Sequence, residues 1–280
     1  MSIRKLLILL WACVLAGPAA PFLPAAPAAG PAPATTGPAL AAPLLPGEGL
    51  AMAGPDGTVY VFGEAAREAP MGSLAKLVWL KLEGADWGAM GVQFTCTGEW
   101  QGVHCWLPKG HGKVDLAKAT QENCDLAYLA WARMSAQIWL KDYGEGAARA
   151  RLEDAFGPFL GSRIPPGDGL PPISPAWVGD GDLLRTSPEA MVRWLMDPDQ
   201  DQAVRLVRRL LLSFKQFNYQ NDAWWIETGT APVPGAAGAT TAWAAGGNGK
   251  VLAVLHLPRG KGKADGLERF RAILNLPAGK

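Results

Sequence analysis

The 280-residue sequence carries almost no net charge, because 26 Lys and Arg stand against 25 Asp and Glu and leave a formal charge of +1. A nucleic-acid-binding protein needs a concentrated basic surface to release phosphate counterions, so this balance argues against nucleic acid as a partner. Polar low-complexity tracts are also lacking. With 49% hydrophobic residues and twelve Trp, the chain can bury a large core, which excludes a wholly disordered protein.

The N-terminal apolar run, Leu6 to Leu15, is shorter than the about 20 residues that a membrane-spanning helix needs. It follows Arg4 and Lys5 and precedes small residues and prolines, a layout typical of a bacterial export signal. Pro and Ala supply 20 of the 29 residues from 18 to 46, which predicts an extended segment without secondary structure. An uncleaved membrane anchor and lipidation of Cys13 are the alternatives, the latter disfavoured by the bulky Trp11.

We therefore predict three regions: an export signal at 1–28, a Pro/Ala-rich tether at 29–46 and one folded domain at 47–280. In the domain, Leu50–Ala53 and Thr58–Phe62 flank a turn sequence and predict a hairpin. Apolar spacing predicts helices at about 73–84, 127–138, 146–156 and 265–274, and strands at 223–227, 240–245 and 251–257. A further helical region begins at Ser187, is interrupted by an acidic loop at 197–201 and continues over 203–214. The fold class is α+β, a mainly antiparallel sheet flanked by helices with an inserted all-helical subdomain.

The first candidate for chemistry is Ser73-Leu74-Ala75-Lys76. If Ser73 opens a helix, Lys76 lies one turn later on the same face, where a neutral or carbamylated amine takes the hydroxyl proton. Ser2 and Lys5 show the same spacing inside the export signal, so the pair alone favours a helix cap beside a solvated lysine.

Further motifs follow in a fixed order: Gly110-His111-Gly112, Asn123-Cys124-Asp125, Thr186-Ser187-Pro188-Glu189 and Glu227-Thr228-Gly229-Thr230. With Ser73 and Lys76, this order resembles the penicillin-recognising serine acyltransferases, which include penicillin-binding transpeptidases and class D β-lactamases. That family carries Ser-x-x-Lys, then Ser-x-Asn or Ser-x-Val, then Lys-Thr-Gly on a strand facing the serine. The resemblance covers roughly residues 50–274 and implies a β-lactamase/transpeptidase-like fold.

The resemblance also implies roles for particular residues. The catalytic set is Ser73 as nucleophile, Lys76 as base and Asn123, and the substrate-binding set is Asp125, Glu227, Thr228, Gly229 and Thr230. The backbone amides of Ser73 and Thr230 correspond to the family's oxyanion hole. Two positions depart from the pattern: Asn123 lacks the hydroxyl that passes a proton, and Glu227 replaces a Lys, so that its carboxylate would repel an anionic substrate.

The cysteines and histidines are few. Cys96 and Cys105 lie nine positions apart and predict a loop disulfide in an exported protein, which leaves Cys124 as a buried thiol. A metal site formed by these cysteines with His104, His111 or His256 is the alternative, but the spacing matches no zinc framework. We predict neither a metal nor a cofactor.

Two functions remain open from the sequence. The first is an exported serine acyltransferase of the periplasm or cell envelope that forms an acyl-enzyme on Ser73 with a peptidoglycan stem peptide or a β-lactam. The second is a catalytically inactive peptidoglycan-binding or interaction module on the same fold.

Overall fold

The computed structural model describes residues 38–163, 166–197, 218–219 and 222–277. The predicted export signal at 1–28, residues 29–37 of the predicted tether and the predicted helical residues 203–214 lie outside the described residues. Within the described ranges, no helix is both long enough and apolar enough to cross a membrane.

The described residues form runs of strands separated by helices. The strands are β1 (Gly49–Ala53), β2 (Val59–Gly63), β3 (Ala69–Pro70), β4 (Gln93–Cys96), β5 (Glu99–Trp100), β6 (Val103–His104), β7 (Gly112–Asp115), β8 (Arg185–Thr186), β9 (Asn218–Tyr219), β10 (Asp222–Ala223), β11 (Trp225–Pro232), β12 (Thr240–Gly247) and β13 (Leu252–Leu257). The helices are α1 (Ala75–Met90), α2 (Leu116–Gln121), α3 (Asp125–Tyr143), α4 (Glu145–Leu160), α5 (Pro188–Met196) and α6 (Leu267–Leu274).

A five-stranded antiparallel sheet, in the order β11-β12-β13-β1-β2, brings the two ends of the domain together. β1 and β2 form the predicted hairpin, and Asp56 stabilises its turn by accepting a 3.1 Å hydrogen bond from the Thr58 amide. β1 is buried on both faces: Leu50 belongs to one hydrophobic cluster and Ala51 to another. The predicted α+β class with an antiparallel sheet is confirmed.

One sheet face is covered by α6, whose Phe270 and Ile273 are buried against it. The described end of the Pro/Ala-rich segment also lies on this side, where the Ala41 amide donates to the Ile273 carbonyl at 2.9 Å. Arg269 of α6 and the buried Glu48 form an ion pair of 2.8 Å, so residues from the two ends of the described chain are bonded to each other.

The described residues between β2 and β11 form the insert that covers the other side. It contains α1, α3 and α4, together with two short antiparallel ladders, β4 with β7 and β5 with β6. Trp79 stacks on Trp87 and on Trp139 with ring centroids 6.1 Å apart in both pairs, which joins α1 to α3. The core of this insert is therefore aromatic.

α1 is longer than the sequence predicted. Gly84 was expected to end it, but Gly84 is buried inside the helix, which continues to Met90 and ends at Gly91 with φ of 62°. A single interior glycine costs about 1 kcal/mol relative to alanine, which burial of the neighbouring turns offsets. The left-handed Gly91 provides the actual C-terminal cap.

Candidate active site

Ser73 lies in a 3₁₀ turn, Gly72–Leu74, that leads directly into α1. Leu74, Leu77 and Val78 are buried, whereas Ser73 is half-buried. The apolar side chains fix the helix in the core, and the Ser73 hydroxyl remains at its accessible N-terminal end.

β11 passes the start of α1 at backbone contact distance. A Cβ atom built on Gly72 would lie 2.6 Å from the Thr230 carbonyl oxygen, and one built on Gly229 would lie 2.9 Å from the Met71 carbonyl oxygen. Neither position has room for a side chain, so the two glycines permit the approach of strand and helix. If Ser73–Lys76 is called the first motif, Asn123–Asp125 the second and Glu227–Thr230 the third, the first and third motifs thus meet in one place.

Lys76 is buried between the second motif and the core. Its side chain is 3% exposed, and its Nζ atom bonds to Oδ1 of Asn123 and Oδ1 of Asp125. The same Asp125 oxygen accepts a 3.5 Å hydrogen bond from the Ser73 hydroxyl. The resemblance made Lys76 the direct partner of Ser73, but in this structure Asp125 lies between them as the shared partner.

Asn123 connects the helical insert to the sheet. Its φ is 57°, a left-handed conformation that asparagine tolerates better than most residues. While Oδ1 accepts from Lys76, Nδ2 donates to the Thr228 carbonyl at 3.2 Å. The amide group therefore uses both of its ends in binding protein groups, and Asn123 acts as a brace between the second and third motifs.

Asp125 is the first residue of α3, directly after the N-cap residue Cys124. A carboxylate in the first helical turn is stabilised by the positive end of the helix dipole. The Asp125 side chain is 29% exposed and borders a cavity. It is held from one side by Lys76 and is accessible to a ligand from the other.

Glu227 on β11 occupies the position at which the resembled family has Lys, and it is only 5% exposed. Burial raises the pKa of Glu227 to about 8, although the charge of Lys76 opposes the rise. The carboxyl group is therefore mostly neutral at pH 7. This corrects the expectation of a repulsive carboxylate, because the repulsion develops only as the pH rises to about 8 and above.

The two threonines of β11 have different surroundings. The Thr230 hydroxyl accepts a 2.8 Å hydrogen bond from the Gly262 amide, which ties the strand to the turn before α6. Thr228 is half-buried, and within the described residues no hydrogen bond engages its hydroxyl. Thr228 therefore has the hydroxyl that is available to a ligand.

A cavity of about 250 Å³ opens beside Ser73, with Asp125 and Trp106 in its walls. Trp106 donates from Nε1 to the Asn123 carbonyl at 2.9 Å, and the Lys263 ammonium lies 5.7 Å from its ring centroid. The sequence analysis missed Trp106, because one Trp among twelve carries no spacing signal.

A turn at Gly179 covers the backbone next to Ser73. Gly179 has φ of 102°, and a Cβ atom built on it would lie 2.0 Å from the Gly72 carbonyl oxygen and 2.9 Å from the Ser73 amide nitrogen. Asp180, the next residue, lines the cavity. The Ser73 amide, which the resemblance assigned to an oxyanion hole, is thus crowded on one side. The sequence Gly179-Asp180-Gly181 predicts a turn, but it does not indicate that this turn lies against Ser73 in the fold.

Comparison with solved structures identifies the architecture. Penicillin-binding protein A from Mycobacterium tuberculosis, as a ceftriaxone acyl-enzyme complex, matches with a TM-score of 0.58 at 14% identity over 81% of this chain and 73% of that chain. The C-terminal domain of the Bacillus licheniformis BlaR penicillin-receptor matches with a TM-score of 0.54 at 14% identity over 81% of this chain and 87% of that chain. This chain has the penicillin-binding protein fold. Comparisons with protein-family models and with curated proteins give no match.

In the penicillin-binding fold of this chain, the site residues come from three separate segments: the start of α1, the start of α3 and β11. The substitutions that distinguish it from the resembled family, Asn123, Asp125 and Glu227, all lie around the Lys76 ammonium. The three substituted positions therefore share one neighbour, Lys76, and together they determine the charge around its ammonium group.

Next to this site, Cys96, Cys105, Cys124 and His111 form a buried cluster with their ligand-type atoms within 4.8 Å of one another. The predicted disulfide between Cys96 and Cys105 is not present, since all three cysteines are free thiols. A hydrogen bond from the Cys124 thiol lowers the pKa of Cys105 to about 5, and the same bond raises the pKa of Cys124. The sequence analysis missed the convergence because the four residues come from segments that meet only in the fold.

Proposed function

We propose that this protein is an exported serine acyltransferase of the penicillin-binding type. In this proposal Ser73 forms an acyl-enzyme with the carbonyl carbon of a peptidoglycan stem peptide or a β-lactam. The observation that carries the proposal is the position of the Ser73 hydroxyl: it lies at a rigid helix start, beside a cavity, and donates to an Asp125 oxygen that also binds Lys76.

The geometry favours a specific route for the proton. As the Ser73 Oγ–carbon bond forms, the hydroxyl proton passes to Asp125 Oδ1, while Lys76 provides the positive charge that stabilises the pair. Asp125 passes this proton to the leaving nitrogen as the bond from that nitrogen to carbon breaks. Water or an amine then attacks the acyl carbon, gives up a proton to the freed Asp125 carboxylate and releases Ser73, which recovers its proton. A 3.5 Å hydrogen bond is long, and such bonds tighten when substrate binds.

The third motif supports binding of an anionic group near pH 7. Neutral Glu227 does not repel a carboxylate, and the Thr228 hydroxyl is available to donate to it. The Lys263 ammonium lies 5.7 Å from the ring centroid of Trp106, which lines the cavity, and adds a positive charge next to that wall. Substrates with a carboxylate next to the scissile bond, as in stem peptides and β-lactams, fit this arrangement.

A second candidate function is a non-catalytic peptidoglycan-binding module. It is favoured by two observations: Lys76 is engaged by Asn123 and Asp125, and the Gly179 turn crowds the Ser73 amide. Both features reduce the groups available to activate the hydroxyl and to bind an oxyanion. In this function the cleft recognises peptide without turnover.

The proposed cellular location is the periplasm or cell envelope. Support comes from the N-terminal sequence, with Arg4 and Lys5 before the apolar run to Leu15. Part of the proposed tether packs on the domain, since Leu40, Ala42 and Leu44 join a hydrophobic cluster and the Ala41 amide bonds to Ile273. An uncleaved N-terminus would hold the domain at the membrane.

Labelling with a fluorescent penicillin tests the proposal. The full chain should become covalently labelled, and Ser73→Ala should not, whereas Ser162→Ala, the same change at an exposed serine outside the cavity, should be labelled like the wild type. If the wild type is not labelled but sediments with insoluble peptidoglycan, and Ser73→Ala does so equally, the non-catalytic module is the correct function.

A further inference from the structure

The buried cluster beside the site is built from four segments. Cys96 ends β4, Cys105 follows β6, His111 precedes β7 and Cys124 is the N-cap residue of α3. All four residues are buried, and each contributes a side chain whose atoms commonly bind metals.

The spacing of the four ligand-type atoms is close to that of a tetrahedral zinc site. Zn–S bonds of about 2.3 Å and Zn–N bonds of about 2.0–2.1 Å place neighbouring sulfur atoms about 3.8 Å apart, and sulfur and nitrogen about 3.5 Å apart. In the structure, Nδ1 of His111 lies 3.4 Å from Sγ of Cys105, and the four ligand-type atoms all lie within 4.8 Å of one another. A shift of a few tenths of an ångström to about 1 Å would close the tetrahedron.

The backbone is arranged to hold the ligands together. Gly98 and Gly110 have φ of 96° and 74°, and a Cβ atom on either would come within 2.1 Å of a carbonyl oxygen in the other loop. The Cys105 amide donates to the Gly98 carbonyl at 2.8 Å. Only glycine allows two loops to cross this closely, so the crossing brings Cys96, Cys105 and His111 to one point.

The His111 ring is turned toward the Cys105 sulfur, with Nδ1 as the contacting atom. Cysteines that serve only as small apolar side chains have no need of a histidine nitrogen turned toward their sulfur atoms.

We propose that Cys96, Cys105, His111 and Cys124 bind one zinc ion. Three sulfur ligands and one nitrogen complete a tetrahedral shell, so the ion has no open coordination position and its role is structural. Three thiolates and a neutral imidazole leave one net negative charge around Zn²⁺. The Lys118 ammonium, 3.0 Å from the His111 carbonyl oxygen, partly balances that charge.

The position of Cys124 connects the metal to the active site. Its neighbours in sequence are Asn123 and Asp125, the two residues that bind the Lys76 ammonium. A zinc ion bound to Cys124 would fix the start of α3 and thereby the positions of both side chains. The ion is thus proposed to position the second motif without touching the substrate.

Metal analysis of the purified full chain tests this inference independently of acylation. We expect about one zinc per wild-type chain, and less than about a tenth of that for Cys96→Ser and His111→Ala, because a structural site needs all of its ligands. His104→Ala is the matched control, since His104 is adjacent to Cys105 but its side chain is 76% exposed, and it should retain the metal.

A second measurement covers the case in which the variants fail to fold. In the wild-type protein, alkylation followed by peptide mapping should find that Cys96, Cys105 and Cys124 do not react with the alkylating reagent. After a strong chelator removes the metal, all three thiols should become reactive together. A zinc content near zero in folded wild-type protein, with either three reactive thiols or a Cys96–Cys105 disulfide, would overturn the proposal. Penicillin labelling of the same protein preparation tests acylation of Ser73 separately, so a failure of the zinc proposal can be distinguished from a failure of the acyltransferase proposal.

Discussion

Glu227 shows how one buried side chain can reverse a conclusion drawn from charge alone. At a solvent-exposed position its carboxylate would be ionised at pH 7, but burial on β11 raises its pKa to about 8. Lys76 and Asp125 lie close enough to influence that titration in opposite directions. The residue that departs most from the family pattern is therefore a pH-dependent group within the candidate site.

Replacing Glu227 with Gln should change the dependence of stability on pH. The pKa of Glu227 is raised from 4.5 to about 8 in the folded state, so the folded state holds the proton more tightly and stability falls as the pH rises through that window. The whole effect is at most roughly 5 kcal/mol at about 1.4 kcal/mol per pKa unit.

Urea unfolding of the wild type and Glu227→Gln at pH 5 and pH 8 measures this effect. The free energy of unfolding should decrease from pH 5 to pH 8 by less in the variant than in the wild type. Parallel pH profiles for the two proteins would show that Glu227 ionises normally.

Replacing Asp125 with Asn should slow acylation of Ser73. The amide keeps the size of the side chain but cannot accept the hydroxyl proton, and loss of a positioned base costs a factor of about 10² to 10⁴. Stopped-flow measurement with a chromogenic β-lactam gives the rate. Asp180→Asn, which changes another carboxylate of the same cavity, should stay within a few-fold of the wild type. Equal rates for Asp125→Asn and the wild type would exclude Asp125 as the proton acceptor.

Individual residues of the site could be predicted from the sequence only where they belong to a motif. Ser73, Lys76 and Thr228 were found through the order of the motifs, and the structure brings their segments together. The environment of each residue could not be predicted, because burial and neighbours arise from contacts between distant segments. Trp106 and Gly179 are examples, since nothing in their local sequence indicates contact with the site.

At the scale of elements, the site depends on the close approach of β11 and the start of α1. Gly72 is the contact point, with φ of 55° and no room for a Cβ atom next to Thr230. Gly91 at the other end of α1 has a similar φ of 62°, but nothing lies within 4 Å of a Cβ atom built there. An alanine at Gly91 would therefore experience backbone strain alone, whereas an alanine at Gly72 would experience the same strain together with a steric clash.

Replacing Gly72 with Ala should therefore cost more stability than replacing Gly91 with Ala. Left-handed backbone costs an alanine about 1–2 kcal/mol at either position, and the contact with Thr230 should add about 1–3 kcal/mol at Gly72 alone. Chemical denaturation of both variants measures the difference. Equal losses would mean that β11 moves aside easily.

The helical insert depends on a buried carboxylate between α1, α3 and α4. Glu83 accepts hydrogen bonds from Ser135 at 2.8 Å, Trp139 at 3.2 Å and Arg151 at 2.9 Å. Glu83→Ala should lower the free energy of unfolding by about 3–5 kcal/mol, because it leaves these donors without their acceptor. Glu153→Ala, which removes a surface partner of Arg149, should cost less than about 1 kcal/mol, and thermal unfolding that ranks the two variants the other way would contradict this account.

Element positions could largely be predicted from periodicity and turn residues. The β1–β2 hairpin, the helix after Ser187 and the final helix all lie where the sequence placed them. The end of α1 was predicted wrongly, because packing stabilises a glycine that would stop an isolated helix. The predicted Cys96–Cys105 disulfide is absent from the structure, where a third cysteine and a histidine meet the pair at one point, a convergence that sequence spacing does not reveal.

At the scale of the whole molecule, the penicillin-binding fold joins residues that are far apart in the chain. Glu48 pairs with Arg269, and Asn123 donates to Thr228, so the sheet and the helical insert are both closed by long-range bonds. The overall architecture could be predicted because motif order along the chain reflects topology. Activity could not be predicted in the same way, because it depends on which charges surround Lys76.

The central claim is that Ser73 is an acylation nucleophile, and intact-protein mass spectrometry after incubation with a penicillin tests it most directly. The account predicts an adduct with the full mass of the penicillin, located by peptide mapping on the segment containing Ser73 and lost in Ser73→Ala. No adduct on a wild-type protein whose circular dichroism and thermal unfolding show that it is folded, or an equal adduct on Ser73→Ala, would contradict the claim.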